Sequence, residues 1–156
     1  MGSITFDDIE VGRRIESMRR TVTEADIVNF AGLSADYNPL HMDEEWVREN
    51  TPFKGRIAHG LLSTSIASGL YSEYVYDWTI IAYLECRRRF EGPVYPGDTL
   101  QARYQVVEMR VSSSRPDTGI VTLDFALVKQ DESVVQSGQD VVLMTRDDAA
   151  SGGDAT

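Results

Sequence analysis

Two histidines, His41 and His59, are the whole imidazole inventory of this chain, and both fall in one irregular stretch. The first closes the run Ala35-Asp36-Tyr37-Asn38-Pro39-Leu40-His41. Asp36 and His41 stand five residues apart, a spacing that an unbroken helix would splay onto different sides. Pro39 breaks such a helix, so the loop folds back and turns carboxylate, amide and imidazole toward one pocket. A carboxylate and an imidazole held this way can share one water between an acceptor and an acid/base that titrates near neutral pH. The same residues also suit an ordinary turn, with Asp36 and Asn38 bonding their own backbone and His41 on the surface. Local composition leaves both readings open.

The second histidine sits in Gly55-Arg56-Ile57-Ala58-His59-Gly60-Leu61-Leu62, where loop gives way to helix. A helix N-terminus offers unpaired N–H groups and a partial positive charge, a setting that stabilises a developing oxyanion. Glycine at position 60 lets a ligand carbonyl approach the backbone. Equally, Gly60 eases tight packing and His59 caps a loop. Other chemistries find less support. Two histidines this far apart, with one distant cysteine, match no zinc spacing. There is no GxGxxG or phosphate-binding glycine loop, and no GxSxG elbow for a serine hydrolase.

These residues need elements to hold them. Thr23 is an N-cap with Asp26 three residues on, and Ile27, Phe30 and Ala31 make one apolar stripe that ends near Gly32. Residues 37–56 are polar and irregular, with one short helix around Glu44 to Glu49; such stretches inside a compact domain are usually functional. The run from His59 to Tyr71 then carries no charged residue, which predicts a helix buried all round, the central helix of the domain. After Asp77 the pattern becomes strand-like: Trp78 to Phe90, Thr99 to Val111, Gly119 to Lys129 and Val134 to Thr145. The alternation Val121, Leu123, Phe125, Leu127 is the clearest case. Arg14 to Val22 is β-permissive. The expectation is an α+β fold of about five antiparallel strands in one domain, residues 1–148, with a frayed tail at 149–156.

The 156 residues carry a formal net charge of -10, which argues against nucleic-acid and anionic-membrane partners. Cations are lopsided, 13 arginines and only Lys54 and Lys129. Cys86 is alone and reads as a small buried hydrophobe in a strand, so a disulfide framework is excluded. No apolar window reaches membrane-spanning length and the first residues lack a basic and apolar leader, so the cytoplasm is the expected compartment.

Together, Asp36-Tyr37-Asn38-Pro39-Leu40-His41 and Ile57-Ala58-His59-Gly60-Leu61-Leu62 resemble the signature of the MaoC-like dehydratases, which include the (R)-specific enoyl-CoA hydratases. The likeness continues through Ser68-Gly69-Leu70 and through Phe90 to Leu100. It implies a hot-dog fold, a curved antiparallel sheet wrapped around a long helix. It implies that Asp36 and His41 hold the water added across a 2-enoyl thioester. By the same resemblance Asn38 orients the site, the Gly60 N–H meets the thioester carbonyl, Ser68 lines the pocket, and His59 belongs to the pattern in a structural capacity. No metal and no cofactor are implied beyond the coenzyme A thioester as substrate, and a homodimer or higher homo-oligomer is the expected assembly. Arg87, Arg89, Arg56, Lys54 and Arg103 are the candidates to meet coenzyme A phosphates, or else charges paired with nearby carboxylates. A hot-dog thioesterase and a non-catalytic thioester-binding module are the competing readings. Acyl length is open; Tyr71, Tyr74, Tyr76 and Trp78 either close an acyl tunnel or pack as core.

Overall fold

A computed structural model describes residues 3–147; the tail expected at 149–156 lies outside the described residues. Six antiparallel strands form the sheet: β1 (Arg14–Glu16), β2 (Arg20–Thr21), β3 (Ile80–Phe90), β4 (Thr99–Val111), β5 (Thr118–Val128) and β6 (Val134–Thr145). The order is β1-β4-β5-β6-β3, with β2 also on β4. The β-permissive lead therefore becomes two short strands on one edge, which accounts for six strands where about five were expected. Between them Ser17 exchanges main-chain contact with Ala102, and its hydroxyl accepts the Ala102 N–H at 2.9 Å.

Alternation decides which side faces inward. Leu100, Ala102, Tyr104 and Val106 of β4 are buried, as are Val121, Leu123, Phe125 and Leu127 of β5. On β6 the inward row is Gln136, Asp140, Val142 and Met144. Among the described residues, besides a 3-10 turn at Phe6–Asp8, there are five α-helices: α1 (Glu24–Ser34), α2 (Pro39–Met42), α3 (Glu44–Asn50), α4 (Gly60–Gly69) and α5 (Glu73–Tyr76). Thr23 caps α1 reciprocally with Asp26, as its sequence predicts.

Helix α4 is the central helix, burying Leu62, Ser63, Ile66 and Ala67 against the inner face of the sheet. This is the hot-dog arrangement. Its hydroxyls turn back on the helix, Thr64 to the Gly60 carbonyl, Ser65 to Leu61 and Ser68 to Ser65. The helix is not buried all round, however: Leu61, Ser65 and Ser68, spaced as one stripe, are exposed. A helix of this register has only one side toward a sheet, so lack of charge does not by itself mean full burial.

Strand β3 departs from expectation at Cys86. Among the described residues it pairs only with β6, which leaves its other edge open, and Cys86 is exposed rather than buried. Arg88 points inward, opposite in sense to Arg87 and Arg89. It lies across from Gly138, whose missing side chain leaves room, and forms a buried 2.6 Å ion pair with Asp140 over the Phe125 ring. A Cβ on Gly138 would run into the Arg87 carbonyl at 1.9 Å, so the strands can approach this closely only with glycine there.

Candidate active site

The site begins where α1 stops. Ala35 takes the left-handed conformation, φ 59°, and turns the chain out of the helix. The Ser34 hydroxyl accepts the Asp36 N–H at 3.2 Å, one Asp36 carboxylate oxygen accepts the Asn38 N–H at 3.2 Å, and the Asn38 carbonyl oxygen of the side chain accepts the Leu40 N–H at 2.9 Å. Asn38 is thus the N-cap of α2, with Pro39 in the first turn where its missing N–H costs nothing. The loop realises part of each sequence reading: Asp36 and Asn38 are turn formers, but His41 is turned inward and not left on the surface. Asn38 and Asp36 are themselves exposed.

His41 is buried, and its Nδ1 lies 2.7 Å from the Ile57 carbonyl. A carbonyl only accepts, so Nδ1 carries the proton and Nε2 presents a lone pair. Burial pushes its pKa below the ordinary 6.5; the neighbouring His59 adds to this, while the Ile57 hydrogen bond and the Asp36 charge oppose it. His41 is therefore a neutral base at neutral pH.

His59 is buried as well, its Nε2 2.9 Å from the Asp36 carbonyl and its ring stacked on His41 with centroids 3.7 Å apart. A carboxylate oxygen of Asp36 and one nitrogen from each imidazole lie within 4.8 Å of one another. Such a triad invites comparison with a metal site, against the sequence expectation of none. Chelation needs lone pairs that converge on one point. Rings stacked at 29° to each other aim theirs along nearly parallel planes, and one nitrogen of each is already committed to a carbonyl. The geometry suits acid/base work better.

Gly60 opens α4 beside this triad. Its N–H has no acceptor among the described residues, and no side chain caps the helix. Its carbonyl is held from the other side: the buried Gln136 amide donates to it at 2.8 Å and accepts from Thr64 at 3.0 Å. The Phe90 ring lies close over Gly60, where a Cβ would sit 2.6 Å from it. A cavity of about 510 Å³ reaches His41 and Gly60, walled chiefly by Leu40, Phe53, Ile57, Phe90 and Val94, with Ser63, Glu91 and Gln136 as polar points. That volume and lining suit a small apolar group with one polar end.

A MaoC like domain model matches residues 8–127. The (R)-specific enoyl-CoA hydratase of Aeromonas caviae is 34% identical over 139 residues, 89% of this chain and 98% of that protein. Protein MaoC of Klebsiella aerogenes is 40% identical over 110 residues, 70% of this chain, but the match spans only 32% of that longer protein. Among solved structures, the MaoC-like dehydratase from Rhodospirillum rubrum superposes with a TM-score of 0.80 at 30% identity, covering 93% of this chain and 99% of that one. A Mycobacterium tuberculosis protein with a double hotdogfold, 20% identical over 97% of this chain and 47% of its own, shares the fold with a TM-score of 0.78. The chain belongs to the MaoC-like family.

Within this MaoC-like domain the expected site residues divide. Asp36, His41, His59 and Gly60 come together. Ser68 does not join them: two turns along α4 it lines a separate cavity of about 210 Å³ with Tyr74, Tyr83 and Tyr104, and Ser63 occupies the main cavity instead. His59, grouped by the resemblance with the pocket residues in a structural capacity, does not line the main cavity either; it stacks behind His41. Of the phosphate candidates, Arg56 is clasped by Glu24 at 2.9 Å and Glu44 at 3.3 Å, Arg103 by Glu16 and Glu132, Arg87 by Glu85 and Arg89 by Glu91. Lys54 is exposed next to Phe53 of the cavity wall and has no ion pair among the described residues. Gln136 was not anticipated. The available signal was an amide at a position that alternation puts in one row with Val142 and Met144.

Proposed function

We propose that this MaoC-like protein is a hydro-lyase that adds water reversibly across the 2,3 double bond of a 2-enoyl thioester, with coenzyme A as the thioester carrier. The observation that carries the reading is the Asp36 carboxylate set beside His41, whose ring lines with Gly60 an apolar cavity that Asp36 itself does not line. Donation from Gly60 to the thioester oxygen draws electrons from the double bond and leaves C3 electrophilic. The Asp36/His41 pair takes a proton from water as its oxygen bonds to C3. The enolate then collapses as a proton from the same pair reaches C2, and the pair is restored. No cofactor enters this balance.

Family membership and the names of the relatives support the reaction class. Lys54 is the side chain best placed to meet a coenzyme A phosphate beyond the cavity mouth. A second copy of the chain is the proposed partner, because β3 has an edge unpaired among the described residues, with Ile81 and Leu84 exposed, and its Ile80 and Tyr83 share a small cavity with Ser68 of the uncharged exposed stripe of α4. The test is incubation with crotonyl-CoA while following loss of the conjugated enoyl absorbance and release of free thiol in parallel. Loss of absorbance without thiol is the expected result. Thiol release with the double bond intact would replace hydration by thioester hydrolysis.

A further inference from the structure

His59 touches no part of the cavity, yet three parts of the site meet at its ring. Its Nε2 donates to the Asp36 carbonyl at 2.9 Å, so Nε2 holds the proton and Nδ1 is bare. That Nδ1 is buried and without a partner among the described residues. One face of the ring stacks on His41, and Phe30 closes in at 5.1 Å. Its main chain caps α4, the His59 carbonyl accepting the Ser63 N–H at 3.2 Å.

The Asp36 loop needs such an anchor. Residues 35–38 are exposed, begin with a left-handed alanine, and otherwise bond only to Ser34, Leu40 and His41 around them. The His59 contact is the one hydrogen bond, among the described residues, that ties this loop to an element distant in sequence. Without it, the Asp36 carboxylate is held to His41 only by the short-range bonds through Asn38, and no hydrogen bond among the described residues ties residues 35–38 to the segment that carries the Gly60 N–H.

We infer that His59 is a positioning residue for the hydration: it sets the separation of Asp36, His41 and the Gly60 N–H through one hydrogen bond, one ring face and one helix cap. The inference rests on the proposed reaction. It explains why an imidazole is kept where it meets no substrate. Phenylalanine would stack on His41 but leave the Asp36 carbonyl free. Glutamine would reach that carbonyl with its side-chain N–H but give up the ring.

The two substitutions separate the functions. For His59→Phe we expect kcat with crotonyl-CoA to fall about 10²-fold, as for a misplacement of about 1 Å, while KM stays within about threefold. His59→Gln should recover at least about tenfold of that loss. Amide hydrogen exchange at residues 36–38 should quicken in the Phe variant and stay near wild type in the Gln variant. Nitrogen-15 spectra of the wild type, with only two imidazoles to assign, should place the His59 proton on Nε2. Wild-type kcat in His59→Phe, or equal losses in both variants that track their thermal stability, would overturn the inference. So would a His59 proton on Nδ1. If the Phe variant does not fold, the Gln variant and the wild-type spectra decide. If the wild type hydrates no enoyl thioester, the proposed reaction fails on its own, and the exchange and nitrogen measurements still judge the tether.

Discussion

The side-chain amide of Gln136, on β6, donates to the carbonyl of Gly60, the first residue of α4, at 2.8 Å, and its oxygen accepts from Thr64 one turn later. A strand thus fixes the height of the helix end whose N–H faces the cavity. Gln136→Leu keeps the volume but removes the 2.8 Å bond to the half-buried Gly60 carbonyl, leaving that group to the partners α4 itself supplies, and strips the Thr64 hydroxyl of its acceptor on β6. A stability loss of about 1–3 kcal/mol in thermal or urea denaturation is expected. A fall in kcat larger than any rise in KM would show that the amide acts on the Gly60 N–H rather than on substrate binding.

Removing either member of the catalytic pair should separate folding from turnover. Asp36 is exposed, and Asp36→Asn retains an oxygen for the Asn38 N–H, so its circular dichroism and melting should match wild type. His41→Ala gives up a buried ring and is expected to melt earlier. Each should lose about 10²–10⁴ in hydration rate. Near wild-type turnover of crotonyl-CoA by both folded variants would sink the assignment.

Acidification should act on the buried imidazole with a definite sign. The pKa of His41 is held below its ordinary 6.5 by burial, so between those two values the unfolded chain binds a proton that the folded chain refuses. Stability then falls as pH drops from about 6.5 toward the folded-state value and levels off below it. The stabilising share is intact above 6.5. Denaturation midpoints measured across this window should follow that course in wild type and flatten in His41→Ala. The acid limb of kcat/KM should likewise turn down below 6.5, since a base that stays neutral keeps working.

Arg88 and Asp140 form the buried ion pair between β3 and β6, 2.6 Å apart. Taking away one partner, as in Arg88→Met or Asp140→Leu, strands a charge in the core or among the tyrosines, and a loss of about 3–5 kcal/mol is expected. The double variant should recover most of it. A double-mutant cycle in urea measures this coupling; additive losses would mean that the pair is incidental.

Much of this was legible in the sequence, for reasons that differ by residue. The β4 and β6 bounds agree with the pattern at Thr99–Val111 and Val134–Thr145, because a strand with one buried face alternates visibly. The Thr23 cap and the Asp36-to-His41 turn are local chemistry within a few residues. Where the answer depends on tertiary pairing, sequence falls short. Strand alternation puts Arg88 on the opposite side from Arg87 and Arg89, yet its partner Asp140 follows only from the β3–β6 register. Cys86 sits in a convincing strand, but exposure depends on that strand being last in the sheet. Ser68 and Ser63 are both small hydroxyls of one helix, and only helix rotation decides which meets the main cavity.

That last strand has a practical consequence. Cys86 is the one thiol of the chain and stands exposed on the open margin of the sheet. Any body that zips onto β3 must bury or crowd it. Its reaction rate with a maleimide or a disulfide dye is therefore a built-in gauge of assembly: slow at concentrations where the margin is occupied, faster as dilution lays it bare.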